Sequence, residues 1–154
     1  MDYRKKRKII IVLFFILFLS AFLFLEIKNS SDKEKEIEKV IINKKTINIE
    51  IAKTDKEHYI GLSNREKICH DCGLFFIFSD LKIRQFVMRN MNFPLDIIFI
   101  KDDTIVEILE NLEPEGDNPK EIYSSIQPVN SVLEINTGIS KQYGFKTGQK
   151  VIFK

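Results

Sequence analysis

The chain has 154 residues, of which 44% are hydrophobic and 30% are charged, and its formal net charge is +2. This length accommodates one modest domain and a short appendage. Six basic residues lie within residues 1–28, whereas residues 29–154 carry 18 basic and 20 acidic residues. The positive charge therefore belongs to the N-terminus and, in the absence of a nucleic-acid-binding motif, it argues against nucleic acid as a partner.

An uncharged apolar run, IIIVLFFILFLSAFLFL, occupies residues 9–25, and five basic residues precede it. As a helix this run is roughly 26 Å long, close to the ~30 Å hydrocarbon core of a bilayer. A cleaved signal peptide is the competing interpretation, but the run ends in FLFLE rather than in small residues. The sequence predicts a cytoplasmic basic segment at 1–8, an uncleaved single-pass anchor at 9–25 and an extracytoplasmic C-terminal domain.

Residues 26–39 are mostly polar and charged, as in the letters NSSDKEKEIEK, and they predict a linker. Strand-like sequence begins at Val40. Ile47, Ile49 and Ile51 then alternate with polar residues, which is typical of a half-buried strand.

A helix start follows in the letters TDKE, which match a capping box. In such a box Thr54 accepts a hydrogen bond from the first turn, and Glu57 reaches back to the backbone. The sequence therefore predicts a short helix that runs to about Leu62 or Asn64. Gly61 lies inside this helix, where it is unfavourable by roughly 1 kcal/mol relative to alanine, so we expect another group to pack closely there.

The remaining elements are short and separated by turn signals. They are a strand buried on both faces at 74–78, an alternating strand at 86–89, a hairpin at 95–109, an acidic loop at 110–121, a strand at 129–135, a short helix at 137–144 and a strand at 151–153. Many short strands with only two short helices predict a mainly β fold. We expect a compact antiparallel β-sandwich or barrel over residues 40–154, preceded by one N-terminal transmembrane helix.

Several motifs follow one another in a characteristic order over residues 47–154. They are GL at 61–62 with Arg65, GLFFIF at 73–78, FVMRN at 86–90, PLDIIFI at 94–100 and VLE at 132–134. Together they resemble the DUF192 (UPF0127) family of bacterial and archaeal proteins of unknown function. The resemblance implies a compact mainly β sandwich or barrel, often behind an N-terminal signal or anchor, and no established reaction.

Two motifs depart from the family pattern. The family's FWMKNT reads FVMRNM at 86–91, and its GLM-x-R reads GLSNR at 61–65. The tryptophan and the threonine are replaced, and the lysine is an arginine. The resemblance therefore implies a shared fold without a shared ligand specificity.

Asp96 interrupts an otherwise apolar run, LDIIFI. A buried carboxylate must be paired, hydrogen-bonded or neutralised, and arginine is its best partner. Arg65 and Arg89 could form a lock with Asp96 that fastens the first helix to the central strands. Alternatively, Arg65, Arg89, Asn90 and Asp96 form a pocket that binds an anionic ligand. Both interpretations predict that Asp96 is buried within hydrogen-bond reach of an arginine.

Cys69 and Cys72 form a C-x-x-C motif, which is found in local disulfides, in redox-active pairs and in metal sites. His58 and His70 could complete a Cys₂His₂ site. The motif precedes a strand rather than opening a helix, and oxidising conditions outside the membrane favour a disulfide. We therefore predict a disulfide, with a redox pair as the alternative, and neither a metal nor a cofactor.

The sequence lacks the G-x-S-x-G, H-E-x-x-H, P-loop and dinucleotide-binding motifs. The leading hypothesis is a membrane-anchored extracytoplasmic domain that binds a small anionic ligand or an envelope-protein partner without catalysing a reaction. One alternative is an enzyme of undetermined class that uses the same pocket. The other is a thiol-redox or metal accessory protein that acts through Cys69 and Cys72.

Overall fold

The computed structural model describes residues 38–154. The predicted basic segment at 1–8, the predicted anchor at 9–25 and nearly all of the predicted linker at 26–39 lie outside the described residues. Among the helices of residues 38–154, none has the length and apolar character needed to span a membrane.

Nine strands and two short helices make up the described part of the chain. In chain order they are β1 (Lys39–Ile42), β2 (Lys45–Ala52), α1 (Asp55–Ile60), β3 (Cys72–Lys82), β4 (Gln85–Phe86), β5 (Leu95–Lys101), β6 (Thr104–Leu112), β7 (Tyr123–Ser124), β8 (Val129–Asn136), α2 (Ile139–Gln142) and β9 (Val151–Phe153). The mainly β fold with two short helices is confirmed.

Seven strands form one curled sheet in the order β6-β5-β8-β3-β2-β1-β9, and β4 pairs with β7 in a separate ribbon. At one end the edge strands approach each other: Ile105 N–H donates to Gln149 O (3.0 Å), and Gly148 N–H donates to Ile105 O (2.8 Å). The sheet is therefore a half-barrel. The prediction of a purely antiparallel sheet is wrong for β2 and β3, which run parallel because α1 carries the chain across between them.

The central strands bury both faces of the sheet. In β5, for example, every residue from Leu95 to Ile100 is buried. Side chains alternate along a strand, so Ile97 and Phe99 join one apolar cluster, and Ile98 and Ile100 join the other. We call these the first core, which also contains Phe76, Met88 and Val132, and the second core, which also contains Phe75, Leu133, Ile135 and Ile139.

The capping box at the start of α1 is confirmed. Thr54 Oγ1 accepts a hydrogen bond from Glu57 N–H (3.3 Å), and Glu57 Oε2 accepts one from Thr54 N–H (2.9 Å). The helix ends at Ile60, earlier than predicted, because Gly61 has a φ of +53° and donates its N–H to Glu57 O (2.8 Å). Gly61 therefore ends the helix, because glycine adopts a positive φ without a steric penalty.

The strand predicted at 86–89 is wrong beyond Phe86. Asn90 has a φ of +52°, and the Met88 carbonyl accepts hydrogen bonds from both Met91 N–H (3.4 Å) and Glu115 N–H (2.9 Å). The chain therefore turns at this point instead of continuing an extended ladder. The hairpin predicted at 95–109 is confirmed as β5 and β6, with Asp102 at a φ of +57° in the turn, and β6 continues to Leu112.

Asp96 lies in β5 on the side of the second core and is fully buried. Its Oδ1 accepts a hydrogen bond from the backbone N–H of Asn111 (3.0 Å), and its Oδ2 accepts one from the backbone N–H of Ser140 (3.1 Å). The carboxylate thus ties the end of β6 and the start of α2 to the central sheet.

We expect Asp96→Ala to lower the free energy of unfolding by about 2–4 kcal/mol, because it leaves two backbone N–H groups without their acceptor. Urea denaturation followed by circular dichroism measures the change. Asp117→Ala, in the exposed loop after β6, is the matched control and should change stability by less than about 0.5 kcal/mol. Equal effects of the two substitutions would contradict the structural role of Asp96.

Candidate functional site

A cavity of about 380 Å³ opens on the side of the first core, between α1, β3 and residues 83–91. Its walls are mainly aromatic and sulfur-containing side chains, namely Phe76, Phe78, Phe86, Met88 and Met91. Three cationic or titratable side chains (His58, Arg84 and Arg89) and the carboxyl group of Glu134 also line it. The combination of apolar walls and a few converging polar groups is typical of small-molecule sites.

The pairing of β4 with β7 explains why this cavity exists. Since β4 pairs with β7 rather than with the large sheet, residues 83–91 stand over β3 instead of extending it. Phe86 makes edge-on contacts with Phe76 and Phe99, at ring-centroid distances of 5.0 and 6.0 Å. Met88 is buried beside them in the first core. These contacts fix one wall of the cavity against the sheet.

Glu134 forms part of the inner surface of the cavity. It lies in β8 opposite Leu74 of β3 and Ile97 of β5, and only 6% of its surface is exposed. Its Oε2 atom is buried and has no hydrogen-bond partner among residues 38–154. Burial raises the pKa of Glu134 to about 8, and the charge of Arg65 opposes this effect. At neutral pH Glu134 is therefore an uncharged acid that can donate its O–H into the cavity.

Arg84 is held by aromatic and acidic neighbours. Its guanidinium lies 3.9 Å from the centre of the Phe78 ring. Its Nη2 atom donates to the backbone oxygen of Asp80 (2.7 Å) and to the Asp80 carboxylate. The Arg84 Nε atom is buried and has no acceptor within the described part of the chain. It is thus a second unsatisfied polar atom on a residue that lines this cavity.

Arg89 and His58 are positioned in a similar way. The Arg89 guanidinium lies 4.0 Å from the centre of the Tyr59 ring, and its Nη2 donates to Tyr59 O (2.7 Å). His58 Nε2 lies 3.0 Å from Ala52 O, so this nitrogen carries the hydrogen. The His58 ring also contacts Phe78, at a centroid distance of 4.5 Å. Backbone carbonyls and aromatic rings therefore hold both side chains while leaving other ring or guanidinium nitrogens for a ligand.

The four residues predicted to bind a ligand do not line one cavity. Arg89 lines the cavity described above. Arg65 lies beyond Gly61 and forms a bidentate pair with Glu50, in which both N–O distances are 2.8 Å. Asn90 lies in the turn, where its backbone bonds to Asn64 N–H and Gly116 O.

Asp96 points to the opposite face of the sheet. The expected pairing of Asp96 with an arginine is wrong, because backbone N–H groups of β6 and α2 already satisfy both of its oxygens. The expected burial of Asp96 is confirmed. A ligand-binding role for Arg65, Asn90 or Asp96 stays a prediction, without support from a shared cavity.

Cys69 and Cys72 form a disulfide at the start of β3, of which Cys72 is the first residue. Cys72 pairs with Asn48 at the start of the parallel ladder, whereas His58 contacts Ala52 at its end. These two points are roughly 13 Å apart along the strand, so His58 cannot share a metal with Cys72. Within residues 38–154, no group of three or more histidine, cysteine or acidic side chains is arranged to hold a metal ion.

Residues 38–153 match the family model of DUF192, which is described as "Uncharacterized ACR". The chain belongs to the DUF192 family. The resemblance predicted from the sequence motifs is thus confirmed.

Two crystal structures are similar to this DUF192 protein, and no curated protein matches it. One is a protein of Sinorhizobium meliloti 1021 described as a proposed transcription regulator, with 31% identity, a TM-score of 0.70, and coverage of 77% of this chain and 94% of that chain. The other is a protein of unknown function from Novosphingobium aromaticivorans DSM 12444, with 31% identity, a TM-score of 0.69, and coverage of 75% and 84%.

Glu134 and Arg84 are the site residues of this DUF192 domain that sequence reasoning missed. Glu134 is the only charged residue of the letters VLEI in a strand that was predicted, so the argument applied to Asp96 could have found it. Arg84 carries no comparable signal, because it lies among mixed polar and apolar residues before a two-residue strand.

We expect the stability of this DUF192 protein to fall as the pH rises from about 5 to about 8. The unfolded state releases the Glu134 proton near its ordinary pKa of 4.5, whereas the folded state retains it up to about 8. The free energy of unfolding should fall by about 1.4 kcal/mol per pH unit and by roughly 4 kcal/mol over the whole range. Urea denaturation of the wild type and of Glu134→Gln across this range measures it.

The Glu134→Gln variant should lack this component, so its stability relative to the wild type should rise with pH. Glu110→Gln, at an exposed position in β6, provides the control and should follow the wild type at every pH. A constant difference between wild type and Glu134→Gln would mean that Glu134 titrates normally.

Proposed function

We propose that this DUF192 protein binds a small organic anion in the cavity between α1 and residues 83–91, and that it does so without catalysing a reaction. The observation that carries the proposal is the pair of buried, unsatisfied polar atoms, Arg84 Nε and Glu134 Oε2, on two residues that line this cavity. Buried polar groups are almost always hydrogen-bonded. Both atoms are covered by protein, so a ligand would reach them only through a rotation of these two side chains, which themselves line the cavity.

The charge of the ligand follows from the arginines. Arg84 uses one terminal nitrogen on Asp80, whose carboxylate pairs with it, and Arg89 uses one on the backbone oxygen of Tyr59. A guanidinium has five N–H donors. Their remaining donors suit a carboxylate or a similar anionic group. The aromatic and methionine walls suit an organic body, and the cavity volume of about 380 Å³ suits a molecule of modest size.

The proposal includes an extracytoplasmic location for the domain, with residues 9–25 as its membrane anchor. The supporting features are the apolar run itself, the basic residues before it and the Cys69–Cys72 disulfide, since disulfides persist in oxidising compartments. In this arrangement the cavity would receive a ligand from the cell envelope.

Regulation of transcription, suggested by the description of the Sinorhizobium protein, has less support. Residues 38–154 contain 16 basic and 17 acidic residues, so this part of the chain carries no excess of positive charge. The helices of the described domain have six and four residues, which is too short for a recognition helix in a major groove.

A second candidate function is acid–base catalysis, because Glu134 combines a raised pKa with a position in a cavity. This candidate requires that a bound molecule be converted. Recovery of the ligand unchanged after prolonged incubation would exclude it and leave the binding function intact.

Hexanoate is a suitable first probe, because it has one carboxylate and a flexible apolar body. We expect hexanoate, titrated into the full 154-residue chain in a non-ionic detergent, to shift the ¹H–¹⁵N NMR signals of residues 58–63 and 83–91. Arg89→Gln should weaken its binding about tenfold, since it removes a charge-assisted partner.

The control is Lys141→Gln, which removes one positive charge from α2, the helix that packs on the second core. This variant should bind hexanoate as the wild type does. Signal shifts confined to other parts of the chain, or equal losses in the two variants, would contradict the proposed site.

A further inference from the structure

We infer that Glu134 selects ligands that carry a neutral hydrogen-bonding group at the end opposite to their anionic group. The cavity would then take an organic anion with a hydroxyl, carbonyl or amide group at its inner end. This inference rests on the proposed function and names the ligand class for the same site.

The polar groups of the cavity lie at different depths. Glu134 belongs to a central strand, and its side chain is 6% exposed. Arg89 packs on Tyr59, which is 69% exposed and belongs to α1 at the surface. Glu134 therefore forms the floor of the cavity and Arg89 its rim. A ligand that reaches both residues must present different chemical groups to them.

The floor favours an uncharged partner. Phe76 and Leu62, both fully buried, line the same cavity as Glu134. A Cβ atom at Gly61 would lie 3.6 Å from the Phe76 ring and 3.9 Å from Glu134 Oε2. A second charge in such apolar surroundings is expensive unless it is paired. The neutral acid can donate its O–H and accept a hydrogen bond on its other oxygen, so a hydroxyl, carbonyl or amide group matches it.

Other charged groups around Glu134 do not change this conclusion. From the elements packed against it, these groups are His58 on α1, Arg65 after α1, and Arg84 and Arg89 within residues 83–91. Arg65 forms a bidentate pair with Glu50, and its remaining effect on the pKa of Glu134 is smaller than that of burial. The neighbouring strands contribute the apolar side chains of Leu74 and Ile97.

The wall between floor and rim is apolar. Phe86 packs edge-on against Phe76, and Met88 lies in the same core. Among residues 38–154, Glu134 contributes the only carboxyl group that lines the cavity. The middle of the ligand should accordingly be a hydrocarbon spacer, either an alkyl chain or an aromatic ring.

Four acids of equal length test the inference: hexanoate, 6-hydroxyhexanoate, adipate and 6-aminohexanoate. They share a carboxylate and a spacer and differ only in the end group, which is apolar, neutral polar, anionic or cationic. At pH 6.5 we expect 6-hydroxyhexanoate to bind to the full chain about 3- to 10-fold more tightly than hexanoate, because it gains one hydrogen bond. Adipate should bind more weakly than hexanoate, since its second charge must be buried.

At pH 9.5 the preference should change. Glu134, with a pKa of about 8, is then ionised, so 6-aminohexanoate should become the tightest of the four probes. In Glu134→Gln the order found at pH 6.5 should persist at pH 9.5, because glutamine stays neutral. The wild-type series needs no substitution, so it tests the inference even if the variant is unstable.

The possible outcomes separate the two proposals. Binding of all four acids in the cavity with equal affinity at both pH values would overturn the selectivity of Glu134 and leave the proposed function standing. If Glu134→Gln showed the same end-group preference as the wild type at pH 9.5, including the shift to 6-aminohexanoate, the selectivity would belong to another residue. Failure of all four acids to bind would overturn the proposed function and this inference together.

Discussion

The constraint on which the rest of the structure depends is the burial of the central strands on both faces. Strands β3, β8 and β5 are neighbours in the sheet, and apolar cores cover both of its sides. In such a sheet every position must be apolar or must find hydrogen-bond partners inside the protein. The few polar side chains in these strands therefore carry more information than the many apolar ones around them.

Of the acidic residues that the structure describes in this sheet, two are buried, and they meet the constraint in opposite ways. Asp96 of β5 and Glu134 of β8 lie on adjacent strands, one residue apart in register, so their side chains point to opposite faces. Asp96 is satisfied by two backbone N–H groups, and it joins three elements of the fold. Glu134 has one oxygen without a partner among the described residues, and it lines an open cavity. The first arrangement is that of a structural residue, whereas the second leaves bonding capacity for a molecule that is not part of the chain.

The sequence could predict what depends on neighbours along the chain. The capping box at Thr54 and the disulfide of Cys69 and Cys72 each join residues three positions apart, and the hairpin of β5 and β6 joins two strands that follow each other directly. All three form as expected. The partner of Asp96 could not be predicted, because it is a pair of backbone N–H groups, which every residue other than proline possesses. Side-chain chemistry favours arginine as the partner of Asp96. In the fold, however, backbone N–H groups at the end of β6 and at the start of α2 lie within hydrogen-bond distance of its carboxylate.

Non-local pairing also explains the other errors. Nothing in the local sequence shows that β2 and β3 run parallel, because their pairing depends on the path that α1 takes across the sheet. The same applies to the pairing of β4 with β7, which are separated in sequence by the hairpin of β5 and β6. This pairing lifts residues 83–91 off the sheet and creates the cavity. The local sequence presents Glu134 as one residue of an ordinary strand. What distinguishes it is the burial of both faces of that strand, which depends on the whole fold.

The free-energy cost of burying Glu134 indicates that this residue does not serve to stabilise the sheet. A buried carboxyl group with an unsatisfied oxygen is costly, and an apolar residue of similar volume would normally be tolerated better at a core position. The residues that pair with Glu134 on the two neighbouring strands, Leu74 and Ile97, are indeed apolar and lie in the same layer. Local violations of good packing are typical of functional sites, where they are offset by interactions with a ligand. A ligand that bonds to the Glu134 carboxyl group would therefore bind to the cavity and, in the same step, relieve a destabilising feature of the fold.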